Sequence, residues 1–210
     1  ARAARTEFTT EKKSVAPHER NRRKRAWHWR RMKRVRHGRL RFLDEAGATT
    51  ILTRLYARAI GGKRTTEAVP RNYGTSTSMI ATLGVAGVEA AMMIEGSVDT
   101  VVFNEYCQQV LRPPLKAGDV IVLDNLGAHR ASRIEEIAKE CSARVIWLVP
   151  YSPDFSPIEL MWSKVKAYLK KVKARTQQEL EKAIALALKT ITTSDCLNWF
   201  RHCGYEVTCN

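Results

Sequence analysis

The sequence predicts an α/β fold, a mixed sheet with helices on its faces, preceded by a basic arm. Three observations carry that reading. A chain of 210 residues with 44% hydrophobic residues has the material for one sizeable core. Residues 39–94 hold short β-branched runs broken by glycine, the pattern of antiparallel strands. From Val98 onward helical spacing alternates with short apolar runs, the pattern of β-α-β units.

The elements follow in order. RLRFLD, residues 39–44, reads as a strand ending in a carboxylate, with a glycine turn at Gly47. TILTRLYARAI, residues 50–60, mixes β-branched and aromatic residues and stops at Gly61-Gly62, so a second strand is predicted there. A meander continues through residues 83–94, where Gly84 and Gly87 stand at hairpin spacing. Val102, Tyr106 and Val110 then fall four apart, in a helix that Pro113-Pro114 stops. VIVL at Val120 is an apolar strand, followed by a helix over residues 130–140 and the strand RVIWLV, residues 144–149. Helices over 157–173 and 177–191 close the regular part. Antiparallel strands first and β-α-β-α afterwards are the ribonuclease-H-like arrangement. It takes residues 39–210, leaving residues 1–38 as a basic arm or interdomain linker.

The formal charge of +15 is concentrated in that arm. Residues 1–39 hold eleven Arg and four Lys against three Glu, so the rest of the chain carries only +3. Arg22, Arg23, Lys24, Arg25, Arg30, Arg31, Lys33 and Arg34 invite a polyanion, because each phosphate they neutralise releases a counterion. Nucleic acid is the leading partner. A solvated linker or a nuclear-import signal would carry the same charge, but Trp27 and Trp29 add rings that can stack on bases or pack on the core. Five scattered cysteines form no CxxC pair and no zinc spacing, which suits a reducing cytoplasm. His202, Cys203 and Cys209 could make at most a weak metal cluster. No apolar run approaches the roughly twenty residues of a membrane span, and no apolar stretch follows the basic N-terminus as in a signal peptide.

Three acids are the candidate chemistry. Asp44 and Asp124 each end an apolar strand, where open α/β sheets gather ligands; either could equally be a turn former or a helix cap. Glu159 lies in SPIE, where Ser156 as N-cap and Pro157 at the first helical position make it the third member of a capping box. Its helix sets an apolar stripe of Ile158, Met161, Trp162, Val165, Leu169 and Val172 against a polar stripe of Glu159, Ser163, Lys166 and Lys170. An acid leading into lysines suits a phosphodiester enzyme. Three converging carboxylates would repel one another unless cations joined them, and an all-oxygen set favours magnesium or manganese, as a pair, over zinc.

The motifs LDEAG (43–47), LDNLGAH (123–129) and PYSPDFSPIE (150–159), with thirty-four residues between Asp124 and Glu159, resemble the three acidic motifs of the mariner superfamily of DDE transposases, in particular its bacterial insertion-sequence branch. The resemblance implies that Asp44, Asp124 and Glu159 are the catalytic, metal-binding triad. It implies magnesium- or manganese-dependent hydrolysis at transposon ends and attack of the freed 3′-hydroxyl on target DNA, without a covalent enzyme intermediate. Asn125 and His129 match positions beside the second acid and would support it or contact DNA, although His129 could also merely cap its helix. Glu45 and Asp154 adjoin the triad as further supports. Val149 stands where a second proline is usual and Ser156 where asparagine is usual. The resemblance further implies a homodimer on DNA, in the bacterial cytoplasm on the nucleoid. It implies an N-terminal helix-turn-helix domain for which 38 residues are too few, so that the chain would be a catalytic fragment or one half of a split reading frame. Lys63 and Arg64, after the Gly61-Gly62 turn, are candidates for phosphate contact at a hairpin tip. Two rivals stay open: a ribonuclease-H-like nuclease or resolvase without strand transfer, and a non-enzymatic basic DNA-binding protein.

Overall fold

The structure is a computed structural model that describes residues 20–71, 74, 76–124 and 128–207. Five strands form one sheet: β1 (Leu40–Ala48), β2 (Thr77–Leu83), β3 (Val88–Glu95), β4 (Val120–Leu123) and β5 (Arg144–Trp147), in the order β3-β2-β1-β4-β5. The first three are antiparallel neighbours, while β4 and β5 join in parallel beyond β1. The mixed sheet predicted from the change of period is therefore present. Its hairpin turns between Gly84 and Gly87, whose amides and carbonyls bond across the turn.

Among the described residues six α-helices accompany the sheet: α1 (Arg22–Met32), α2 (Thr100–Glu105), α3 (Ala128–Glu140), α4 (Pro157–Val172), α5 (Gln177–Lys189) and α6 (Thr193–His202). After α2 the chain widens into a π-helical turn, Tyr106–Leu111, before the prolines stop it. Strand alternation sends side chains to two cores. Phe42, Val120 and Val122 face α4, α5 and α6, joining Met161, Val165, Ile184 and Phe200. Leu43, Ile121 and Leu123 face the opposite side, with Phe103, Tyr106, Ile134 and Ile137.

Several expectations are corrected. Residues 50–60 form no strand: Leu55, Tyr56 and Ile60 are 84%, 91% and 95% exposed, on a long excursion between β1 and β2. β-Branched composition without alternation gave that stretch no face to bury. Gly47 makes no turn, because β1 runs on to Ala48 and pairs with β2 throughout, which leaves Asp44 in mid-strand. Lys63 and Arg64 are exposed on the excursion and do not crown a hairpin. In the apolar stripe of α4, Val172 departs, being 45% exposed. Helix α6 was not anticipated, although its capping box of Thr192 and Asp195 is written in the sequence.

The part of the basic segment that the structure describes is not a free arm. Residues 22–32 form α1, started by the Asn21 side chain accepting from the Lys24 amide at 2.9 Å, and one face of it is bound to the core. Met32 and His28 are buried. Trp29 packs edge-on to Phe155 and against Tyr205, while His28 stacks flat on Phe155, 5.5 Å between centroids. Arg25 reaches Asp154 at 2.6 Å and lies 3.7 Å over the Phe155 ring. Arg20 also pairs with Asp154.

Both ring nitrogens of His28 are buried without a hydrogen-bond partner. Burial, with Arg31 and Arg25 adding repulsion, lowers its pKa from 6.5 to about 4. The folded protein therefore resists a proton that the unfolded chain accepts. The contribution of His28 to stability is therefore present in full above pH 6.5 and is lost as pH falls from 6.5 toward 4. In His28→Phe this acid limb should vanish from a plot of melting temperature against pH; an unchanged limb would show that another group causes it.

Candidate active site

Register brings two of the acids together. Parallel pairing sets Phe42 opposite Val122; Asp44 lies two residues further along β1, and Asp124 lies two residues past Val122, directly after β4 ends at Leu123. Residues two apart share a face, so both acids stand on the side to which Phe42 and Val122 belong, the side covered by α4. The third acid is on α4 itself, where Ile158, Met161, Trp162 and Val165 are buried against the sheet.

Glu159 sits in the first turn of α4 and is exposed. The expected capping box is not formed. Ser156 makes no side-chain cap hydrogen bond, and the Glu159 amide instead bonds the Ser156 carbonyl at 3.2 Å. Among the described residues, reciprocal boxes form at α5, through Thr176 and Glu179, and at α6. Among the described residues the Glu159 carboxylate has no hydrogen-bond or ion-pair partner, so its structural role is vacant.

Asp44 is the most perturbed of the three. Its pKa rises from 3.8 to about 7, first by burial and then by the negative charges of Glu159 and Asp124; the Glu45 amide opposes this by donating to the carboxylate. The Trp162 indole N–H is buried without a partner in hydrogen-bond geometry, yet it lies close enough to Asp44 to favour the charged form. Asp124 is exposed at the rim, and the partial enclosure it has raises its carboxyl too. The acids thus repel one another across the space between sheet and helix, but among the described residues no group of three His, Cys, Asp or Glu is gathered closely enough to hold an ion.

By chemistry, though not by their present spacing, these three acids suit a divalent cation. All their donor atoms are carboxylate oxygens, which hard cations prefer, and no cation of the described chain pairs with Asp44. A carboxyl whose pKa is raised by burial and two like charges is relieved when positive charge joins it.

Other expectations fall as follows. Asn125 lies outside the described residues, as does the side chain of His129, which stands in α3. Cys209 is likewise outside, and Cys203 is a buried packing residue whose thiol burial pushes up to about 12. Asp154 does not support the triad but ties down α1. That tie spends Arg25 internally, whereas Arg22, Arg23, Lys24, Arg30, Arg31, Lys33 and Arg34 are exposed and Lys166 and Lys170 are half-buried. Two features were not legible as site residues. Trp162 reads as core by its spacing, three residues after Glu159. Ser152, buried and bonded to Arg25 at 2.6 Å, links α1 to the loop between β5 and α4.

A five-stranded mixed sheet with acids from β1, the end of β4 and the start of α4 defines the ribonuclease-H-like class. The chain belongs to the DDE superfamily endonuclease family, whose model matches residues 39–181. Its fold is similar to that of a pre-cleavage Mos1 transpososome, at 14% identity and a TM-score of 0.73, over 94% of this chain and 64% of that one. The Mos1 mariner paired end complex with Mn matches at 15% identity and 0.67, over 93% and 63%. The isolated catalytic domain of Mos1 mariner transposase matches at 12% identity and 0.58, over 90% and 91%. The chain thus spans under two thirds of the longer Mos1 chains and nearly the whole of the catalytic domain. No curated protein sequence matches it. Among the described residues no helix is long and apolar enough to cross a membrane.

Proposed function

We propose that the chain is the catalytic part of a DNA transposase of the mariner superfamily, insertion-sequence branch, acting in the bacterial cytoplasm on the nucleoid. What supports this reading is that Asp44, on the sheet face covered by α4, feels the negative charges of both Glu159 and Asp124, and that Glu159 takes no part in a capping box. Asp44, Asp124 and Glu159 would hold two magnesium or manganese ions, which when bound activate the attacking oxygen and stabilise the leaving one. Hydrolysis breaks a phosphodiester at a transposon end, leaving a 3′-hydroxyl; that hydroxyl then displaces a target-strand oxygen at phosphorus, joining the two DNAs. The partial burial of Asp44 and the nearby Trp162 indole N–H set the environment of its carboxyl. Mos1 has been solved as a paired end complex and as a strand transfer complex; by analogy the DNA partner here is a pair of transposon ends with target duplex, held by a homodimer.

Helix α1 presents the phosphate-binding face. Its exposed Arg22, Arg23, Lys24, Arg30 and Arg31, with Lys33 and Arg34 just past its end, would meet phosphates, with Lys166 and Lys170 on α4 and Lys63 and Arg64 on the excursion as further contacts. If about six of them meet phosphates, log K against log salt should slope near −5 on duplex DNA. Changing Arg22, Arg23 and Lys24 together to Gln should reduce that slope by about 3; an unchanged slope would remove α1 from the interface.

Incubation with a pre-cleaved end bearing a free 3′-hydroxyl, target duplex and Mg2+ or Mn2+ tests the activity. Joined products are expected. Nicking without joining would leave a nuclease, and binding without either a basic DNA-binding protein.

A further inference from the structure

We infer that Tyr151 is a stacking platform for an unpaired nucleobase next to the phosphodiester on which the acids act, an inference that rests on the active-site reading above. Among the described residues, three other than glycine have positive φ: Ser142, Lys173 and Tyr151. Lys173 is the left-handed cap of α4, and Ser142 lies two residues past α3, where helices commonly turn left-handed. Tyr151, at φ 60°, ends no helix. It stands in the turn between β5 and α4, where glycine or asparagine would hold the same backbone with less strain. The turn itself therefore gives no reason for a large aromatic residue, and strain of this kind collects at functional sites.

The position of the ring supplies a reason. Tyr106 and Tyr205 are fully buried, whereas Tyr151 is 54% exposed. It lines an open cavity of about 260 Å3 together with Asp124, Leu148, Pro150, Ser152 and Pro153. One catalytic acid, an apolar wall and an exposed aromatic residue thus share a single concavity. The loop beneath is braced: buried Ser152 is bonded to Arg25, and the carbonyl of buried Phe155 accepts from the Tyr205 hydroxyl at 2.7 Å. A ring on a braced loop has little freedom left to lose when a base stacks on it. Every base has a π-face, so such a contact tolerates any sequence while setting the position of the neighbouring backbone.

The test uses a DNA duplex with an unpaired 2-aminopurine overhang, titrated without divalent metal against wild type, Tyr151→Phe, Tyr151→Gly and Tyr151→Asn. Stacking should quench the 2-aminopurine fluorescence with wild type and Tyr151→Phe. In the Gly and Asn variants the quench should be lost and affinity should fall about tenfold, the size of one base–aromatic stack. Their melting temperatures should hold or rise, since both residues accept positive φ. No quench with wild type, or equal quench and affinity with all four proteins, overturns the inference. Magnesium-dependent cleavage is read in parallel. Tyr151-dependent quenching by a protein that never cleaves would sink the active-site reading and keep the stack; cleavage and quenching both indifferent to Tyr151→Gly would do the reverse.

Discussion

Asp124→Asn should abolish divalent-metal-dependent DNA cleavage while leaving DNA affinity intact. Loss of a group that merely supports a metal ligand costs about 10- to 100-fold, so removal of a ligand itself should exceed a hundredfold. The proposed binding face lies elsewhere, on α1, and Asp124 is exposed, with little packing to lose. Asp44→Asn should be equally inactive but differ in stability. In metal-free buffer the raised pKa of Asp44 means that the folded state binds a proton the unfolded chain releases. Wild type should therefore lose stability as pH rises from about 4 to 7, the interval between the unfolded and folded values. Asparagine carries no such penalty, and at pH 8 the variant should be more stable by on the order of 2 kcal/mol, allowing for solvent at this part-buried group. Saturating Mg2+ should raise the melting temperature of wild type and not that of the variant. A variant that cleaves, or one that is less stable than wild type at pH 8, would contradict the assignment.

Phe155→Ala should give the largest loss of stability, about 3–5 kcal/mol, the usual cost of emptying a buried aromatic site. Its ring is 4% exposed and is the surface on which α1 docks, stacked by His28, met edge-on by Trp29 and covered by Arg25. It also lies four residues before Glu159, on the loop that leads into α4. Destabilisation should therefore come with slower cleavage at temperatures where the variant is still folded. Denaturant unfolding and single-turnover cleavage measure the two effects. A loss below about 1 kcal/mol would mean that the helix is held by its ion pairs alone.

Much of this was legible in the sequence, for physical reasons. Val120–Leu123 and Arg144–Trp147 are apolar runs bounded by turn residues, and α4 and α5 carry stripes at helical period; such signals depend on a few neighbouring residues. The positions of the three candidate acids were legible in part: Asp124 follows an apolar strand and Glu159 leads α4, while Asp44 lies within β1 and not at its end. The extent of β1 was not: its second half is held by pairing with β2, across nearly thirty intervening residues, and Gly47 suggests a turn only when that partner is unknown. The excursion misled for the converse reason, as Leu55, Tyr56 and Ile60 look like strand residues until it is seen that nothing covers them. Helix α1 was hidden by its own charge. Its seam of His28, Trp29 and Met32 is narrow, and its partner Phe155 lies more than a hundred residues away. The Ser156–Glu159 box shows the limit of a local motif, since the same spacing forms a true box in α5 and leaves a free carboxylate in α4.

Crystals soaked in Mn2+ and measured for anomalous scattering put the metal site to its most direct test. Peaks ligated by Asp44 together with Asp124 and Glu159, absent from Asp44→Asn crystals, are expected. Saturating Mn2+ that leaves the space among these three carboxylates empty would contradict it.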